Sequence, residues 1–187
     1  MTTQFTRIDR AHLALEFQPA WDALHKLTGD ATFVEVFSQA PPVLDFVMQK
    51  FYMGLFFGGE VPQRYKQLAR LRLSLIHGCR TCNKQNVPGA LEAGFTPEQI
   101  DALRDNRLKP FSSAERAVIE YADQIALSNI EGHMSAALFK RLRAHFSEAQ
   151  ILELGTAMAV ISGMAKLSFV LELVERESYC PFATAAT

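Results

Sequence analysis

Strand patterning is what this chain most lacks. Across its 187 residues, almost no segment alternates apolar and polar side chains over strand length. Runs with helical spacing fill the intervals between glycines and prolines instead. An excess of charge of either sign is also missing. Nineteen Lys and Arg stand against 20 Asp and Glu, for a formal net charge of -1. That balance creates no field to hold nucleic acid or an anionic membrane, so neither is expected as a partner. The opening stretch MTTQFTRIDRAHLALEF carries charges throughout and has no apolar h-region, so it does not read as a signal peptide. The longest apolar stretch, Leu154 to Val174, is interrupted by Lys166 and Glu172 and lacks the flanking belt of a spanning helix. No linker, low-complexity tract or convincing repeat divides the chain. The expected location is a reducing cytoplasm, where cysteines persist as thiols and can cycle.

What is present fits one packed all-α domain over residues 1–187. Hydrophobic residues make up 49% and charged residues 21%, enough for a core and too apolar for disorder. About nine helices are expected. Pro19 opens the first, which Gly29 stops, and Asp30 can cap the short helix that Pro41-Pro42 ends. A longer segment from Pro42 closes at Gly58-Gly59. Pro62 then begins QRYKQLARLRLSLIH, with Leu68, Leu71, Leu75 and Ile76 on one face. Gly78 separates it from a helix that runs to Ala93, with Gly94 as its C-terminal cap and a kink or break expected at Pro88. Thr96 with Gln99, Ser112 with Glu115 and Ser147 with Gln150 have capping-box spacing, and Ser135 can cap one helix more. The last and longest helix is expected to reach about Glu175.

The chemistry concentrates in LSLIHGCRTCNKQN. Cys79 and Cys82 are two of only three cysteines, and at C-x-x-C spacing each sulfur tunes the other's acidity. Such a pair, in a chain without export signals, reads as redox chemistry or metal binding. Cys79 falls at a helix N-terminus, which favours a thiolate. Arg80 and Lys84 are near in sequence, and His77 is the one histidine close enough to act as a base. By local physics Cys79 is therefore the more acidic thiol. Blander readings stand beside these. The cysteines can be small buried hydrophobes, and His77 a helix-terminal residue that bonds a backbone group. A zinc site from His77, Cys79 and Cys82 wants a fourth ligand at regular spacing, so neither metal nor cofactor is expected. The cluster Phe46, Phe51, Tyr52, Phe56 and Phe57 reads as core or subunit interface, with one face available to line an apolar pocket. His133, His145 and Cys180 read as bystanders.

With the C-x-x-C helix preceded by an amphipathic helix and followed by GALEAGFTPEQI, the chain resembles the carboxymuconolactone decarboxylase superfamily, and within it the AhpD-like alkylhydroperoxidase branch. The core of the resemblance is 61–103. FSSAERAVIEYADQIALS and HFSEAQILELGTAMAV add similarity to peroxidase-related members. The resemblance implies an AhpD-like helical fold and a thiol-dependent hydroperoxide reductase, in which Cys82 attacks a small hydroperoxide, Cys79 resolves the sulfenic acid to a disulfide, and a dithiol partner reduces it. It also implies a homo-oligomer, trimer or hexamer. The apolar spacing of Leu154, Ala157, Met158, Ile161, Ala165, Phe169 and Leu173 in the last helix points the same way. The chain departs from the family pattern at the proton relay. Gln67 stands where the pattern has Glu, and Asn86 where it has His. Neither amide accepts a proton near neutral pH, so a polar pair remains where a relay would be, or two amides that merely satisfy backbone groups at a helix crossing. Two other readings accompany the reductase: a non-catalytic helical oligomer that kept the fold, and a lactone decarboxylase-like enzyme.

Overall fold

The computed structural model describes residues 3–182, and the account below concerns these. The expected all-α architecture is present. Nine α-helices follow in order: α1 Gln18–Thr28, α2 Thr32–Phe37, α3 Pro41–Asp45, α4 Gln63–His77, α5 Arg80–Glu92, α6 Pro97–Arg104, α7 Ser113–Ile125, α8 Ala136–Arg143 and α9 Glu148–Val170. Between α3 and α4 the helix widens into a π-helical segment, Phe46–Phe57. Among the described residues there is no strand, only one isolated bridge between Cys79 and Arg176.

Local chemistry explains most boundaries. Complete capping boxes start α6, α7 and α9, from Thr96 with Gln99, Ser112 with Glu115 and Ser147 with Gln150. In each, two orphaned N–H groups are satisfied reciprocally. The Ser135 hydroxyl accepts from the Leu138 N–H at the start of α8. Asp30 accepts from the N–H of Thr32 at 2.9 Å, as expected, although the capping position itself is Ala31.

One expectation is narrowed and another corrected. α5 runs through Pro88 without a break. The carbonyl deprived of its donor belongs to Lys84, which is exposed, so solvent can replace the lost bond. α9 ends at Val170 rather than near Glu175. The chain turns at Glu172, whose φ is 53°, and the following residues return over the start of α5.

α4 is the hub, touching α5, α6, α7, α9 and the π segment. Its Leu68, Leu71 and Leu75 pack in the main core with Val118, Ile119, Leu154 and Met158. A second cluster, with Leu13, Phe17, Val34, Phe37, Leu44 and Leu173, forms an N-terminal layer, and α1 from this layer lies against α5. α9 is long and apolar enough to cross a membrane, yet it packs against α4, α7, α8 and the π segment. Leu154, Ala157, Met158, Phe169 and Leu173 are buried within this single chain. The spacing that pointed to association is thus largely satisfied inside the core. Exposed apolar side chains remain on α9 at Leu152, Leu167 and Val170, and on the π segment at Phe46, Met53 and Phe57.

Drawing α4 into the centre also draws in its cations. Arg64 pairs with Glu115 of α7 at 2.6 Å, Lys66 with Glu153 of α9 at 2.6 Å, and Arg72 with Asp123 of α7 at 2.6 Å. The Lys66 ammonium is fully buried and also donates to the Leu55 carbonyl at 2.8 Å. Glu153 in turn accepts from the N–H groups of Glu60 and Val61, tying the end of the π segment to α9. Burial alone would raise the Glu153 pKa, but the hydrogen bonds from Lys66, Val61 and Glu60 outweigh it, and the net shift is downward. A carboxylate held below its unfolded pKa contributes stability above about pH 4.5 that is lost as pH falls through its folded value. Glu153→Gln leaves Lys66 uncompensated and should cost roughly 3–5 kcal/mol. Urea unfolding at pH 7 checks this, and the variant should lose stability less steeply than the parent between pH 5 and about 3.

Candidate functional site

α4 ends at Gly78, whose φ of 61° is a left-handed value that a side chain disfavours. A Cβ there would also meet the Cys180 Cα at 2.5 Å. This bend hands the chain to α5 with Cys79 at the N-cap position. The Cys79 sulfur accepts from the Cys82 N–H at 3.2 Å, and the two cysteines form a disulfide. The C-terminal return clamps the turn from behind. The Arg80 N–H donates to the Glu175 carbonyl and the Glu177 N–H to the Gly78 carbonyl, while the Thr81 hydroxyl accepts from the Glu175 N–H. Arg80 and Lys84, which could have lent positive charge to the thiols, both reach Glu175 instead, at 4.0 and 3.2 Å.

The cysteines differ in access. Cys79 is fully buried, against Phe169 and Cys180, whereas Cys82 is only partly buried. Both contribute to the wall of a cavity of about 560 Å³ lying between the N-terminal layer and helices α4, α5 and α9. Each remaining sequence-predicted site residue, His77, Gln67 and Asn86, lines the same cavity. Gln67 packs against Gly89, where an added Cβ would lie 2.8 Å from the amide oxygen. Asn86 donates to the Arg70 carbonyl at 3.3 Å, a bond across the α4–α5 crossing. The side-chain oxygens of Gln67 and Asn86 are buried without a partner.

His77 is buried too, and its Nε2 accepts from the Leu127 N–H at 3.1 Å. Burial lowers its pKa to about 4, so at neutral pH it is an uncharged imidazole with its proton on Nδ1. That nitrogen has no partner. To take a proton, His77 must give up its bond to Leu127.

Sequence reasoning missed a polar stripe. Gln67, Arg70, Ser74 and His77 follow at helical spacing along the face of α4 that lines the cavity, opposite the leucines that were read first. Arg70 is 7% exposed, and its guanidinium has no hydrogen-bond or carboxylate partner among the described residues. The carbon at its centre lies 5.5 Å from the ring centres of both Tyr52 and Phe56. Phe17, Phe33, Phe51, Tyr52 and Met164 supply apolar wall. The π widening contributes by placing Val47, Met48, Phe51 and Tyr52 on the lining together, in keeping with the frequency of π-bulges at functional sites.

Residues 42–124, which span α4, the cysteine turn and α5, match the model of the carboxymuconolactone decarboxylase family. Over that segment the chain is similar to the carboxymuconolactone decarboxylase family. Its AhpD-like fold is shared with a peroxidase-related protein with an alkylhydroperoxidase AhpD core from Ralstonia eutropha JMP134. That match has a TM-score of 0.73 at 14% identity, over 94% of this chain and 93% of the other. The debrominase Bmp8, solved with 2,3,4-tribromopyrrole, also superposes with a TM-score of 0.73, at 18% identity over 95% and 94% of the two chains. In sequence, the uncharacterized protein YdfG of Bacillus subtilis strain 168 is 25% identical over 107 residues, covering 57% of this chain and 72% of that protein. The buried His77 imidazole should stay neutral from pH 5.5 to 8 as the Nδ1–H tautomer. Heteronuclear NMR of the ring nitrogens reads this directly, and a titration midpoint near 6.5 would show that the Leu127 bond does not hold. Because the folded pKa lies below the unfolded one, His77 lowers stability as pH falls from about 6.5 toward 4.

Proposed function

We propose that the protein is a thiol-dependent reductase of small hydroperoxides that cycles the Cys79–Cys82 pair between dithiol and disulfide. The observation that carries this reading is the disulfide in the wall of an apolar cavity, with Cys82 the more accessible sulfur. In the cycle, the Cys82 thiolate attacks the distal peroxide oxygen. The O–O bond breaks, an alcohol leaves with a proton, and Cys82 becomes a sulfenic acid. The Cys79 thiol then displaces hydroxide, which leaves as water, and the disulfide forms. An external dithiol returns two electrons and two protons. Helical position supports activation at both sulfurs, since Cys79 caps α5 and Cys82 lies in its first turn. His77 serves as a positioning residue in this scheme, because its Nε2 is already engaged. Gln67 and Asn86 sit where a proton relay would operate, with free amide oxygens able to orient a water or the peroxide. The exposed apolar face at Phe46, Met53 and Phe57 supports a homo-oligomer.

A second reading is favoured by the aromatic walls and by likeness over nearly the whole chain to a debrominase. The same dithiol can reduce a carbon–bromine bond on an aromatic ring, replacing bromide with hydrogen and ending in the same disulfide. Bromide release from a bromopyrrole separates the two.

The reductase reading is tested by adding cumene hydroperoxide to the reduced protein and following intact mass. Wild type should lose two hydrogens. Cys79→Ser should stop at a sulfenic acid on Cys82 that dimedone traps, and Cys82→Ser should not react. Persistence of the two-hydrogen loss in either variant would mean that Cys180 pairs instead. Gln67→Glu with Asn86→His should speed consumption by ~10²–10⁴-fold. A folded double variant with no gain would show that proton transfer does not limit the rate.

A further inference from the structure

Four cations lie on α4, and three of them, Arg64, Lys66 and Arg72, are matched to carboxylates on α7 or α9. Arg72 shows what full satisfaction requires. It holds Asp123 with two nitrogens, the Leu103 carbonyl with a third contact and the Asn106 side chain with a fourth. Arg70, only two residues away and similarly buried, has none of these among the described residues, and its guanidinium lies near the faces of Tyr52 and Phe56. An unpaired buried cation is costly, so a position that keeps one either gains from it in function or loses stability for nothing.

The cavity answers where the missing charge goes. Arg70 lines it together with both cysteines. Three carboxylates also contribute to the lining. Glu16 and Glu92 are exposed, and Asp30 is engaged with Thr32. None of them pairs with Arg70. Resting on the redox reading above, we propose that Arg70 is a substrate-binding residue and that the cavity takes a small hydroperoxide with an apolar or aromatic body and a carboxylate that pairs with its guanidinium, a site that an unreactive aromatic acid can also fill. The planar fork of Arg suits a carboxylate bidentately, and the walls of Phe17, Phe33, Phe51 and Tyr52 suit the apolar body attached to it. Tyr52 and Phe56 hold the guanidinium from its sides, so it is oriented before a ligand arrives.

Binding is separable from turnover. Isothermal titration of 2-naphthoate and the neutral isostere 2-naphthamide into wild type, Arg70→Met and Arg70→Lys reads it at equilibrium. Wild type should prefer the carboxylate by about 10–100-fold, the range expected for hydrogen bonds to a charged group. The preference should vanish in Arg70→Met and persist in part in Arg70→Lys. Thermal unfolding of Arg70→Met should show a midpoint equal to or above that of wild type, since an uncompensated charge has been removed. Equal affinity for acid and amide, or binding of neither at millimolar concentration, would overturn the assignment. So would a lowered melting point in Arg70→Met, which would make the arginine a structural partner of Tyr52 and Phe56. If naphthoate binds as expected but peroxide leaves the sulfurs unchanged, the anion site stands and the reductase reading falls.

Discussion

Placing a helix with four cations at the centre of a small domain constrains everything packed around it. Each buried charge on α4 needs an opposite charge brought to it. Glu115 and Asp123 fix α7 against one side, and Glu153 fixes α9 and the end of the π segment against another. These pairs add little net stability over an apolar core of the same volume, but breaking one is costly. They set the register of the surrounding helices, and so where the remaining face of α4 points. That face carries Gln67, Arg70, Ser74 and His77, and it lines the cavity beside the α4–α5 crossing.

The cysteine turn depends on the same frame. Gly78 lets α4 end abruptly, Cys79 caps α5, and the returning chain at Glu175 to Glu177 holds the turn by backbone hydrogen bonds. Both cysteines border the cavity, but Cys79 is buried against Phe169 while Cys82 stays partly accessible. Local acidity favoured Cys79 as the reactive thiol, whereas the pattern of similar proteins favoured Cys82. Access supports Cys82, because a buried thiolate at the helix cap can be acidic and still unreachable.

Helix boundaries were legible wherever a side chain makes the cap. Thr96, Ser112, Ser135 and Ser147 each do what their spacing announces, since capping is local chemistry between residues three apart. The cysteine pair was legible from its C-x-x-C spacing, and Gln67 and Asn86 were singled out by the resemblance; the cavity lining groups them with the pair. The C-terminal return was not. It is held by main-chain groups that any sequence carries, and its start at Glu172 takes a left-handed φ at a residue type that gives no warning. Arg70 was illegible for another reason. In sequence it is one of several cations on an amphipathic helix, and such residues are ordinarily solvated. Whether a cation is paired depends on residues about 50 positions away, and only the packed structure separates Arg72, which has Asp123, from Arg70, which has no carboxylate partner among the described residues.

The account rests on Cys82 being the thiol that meets substrate while Cys79 waits behind it. Timed alkylation of the reduced protein with iodoacetamide, mapped by peptide mass, tests this most directly. Cys82 should be modified first, at least about tenfold faster than Cys79 or Cys180, given that only it is partly open. Earlier labelling of Cys79 would contradict the assignment and reverse the roles of the two sulfurs.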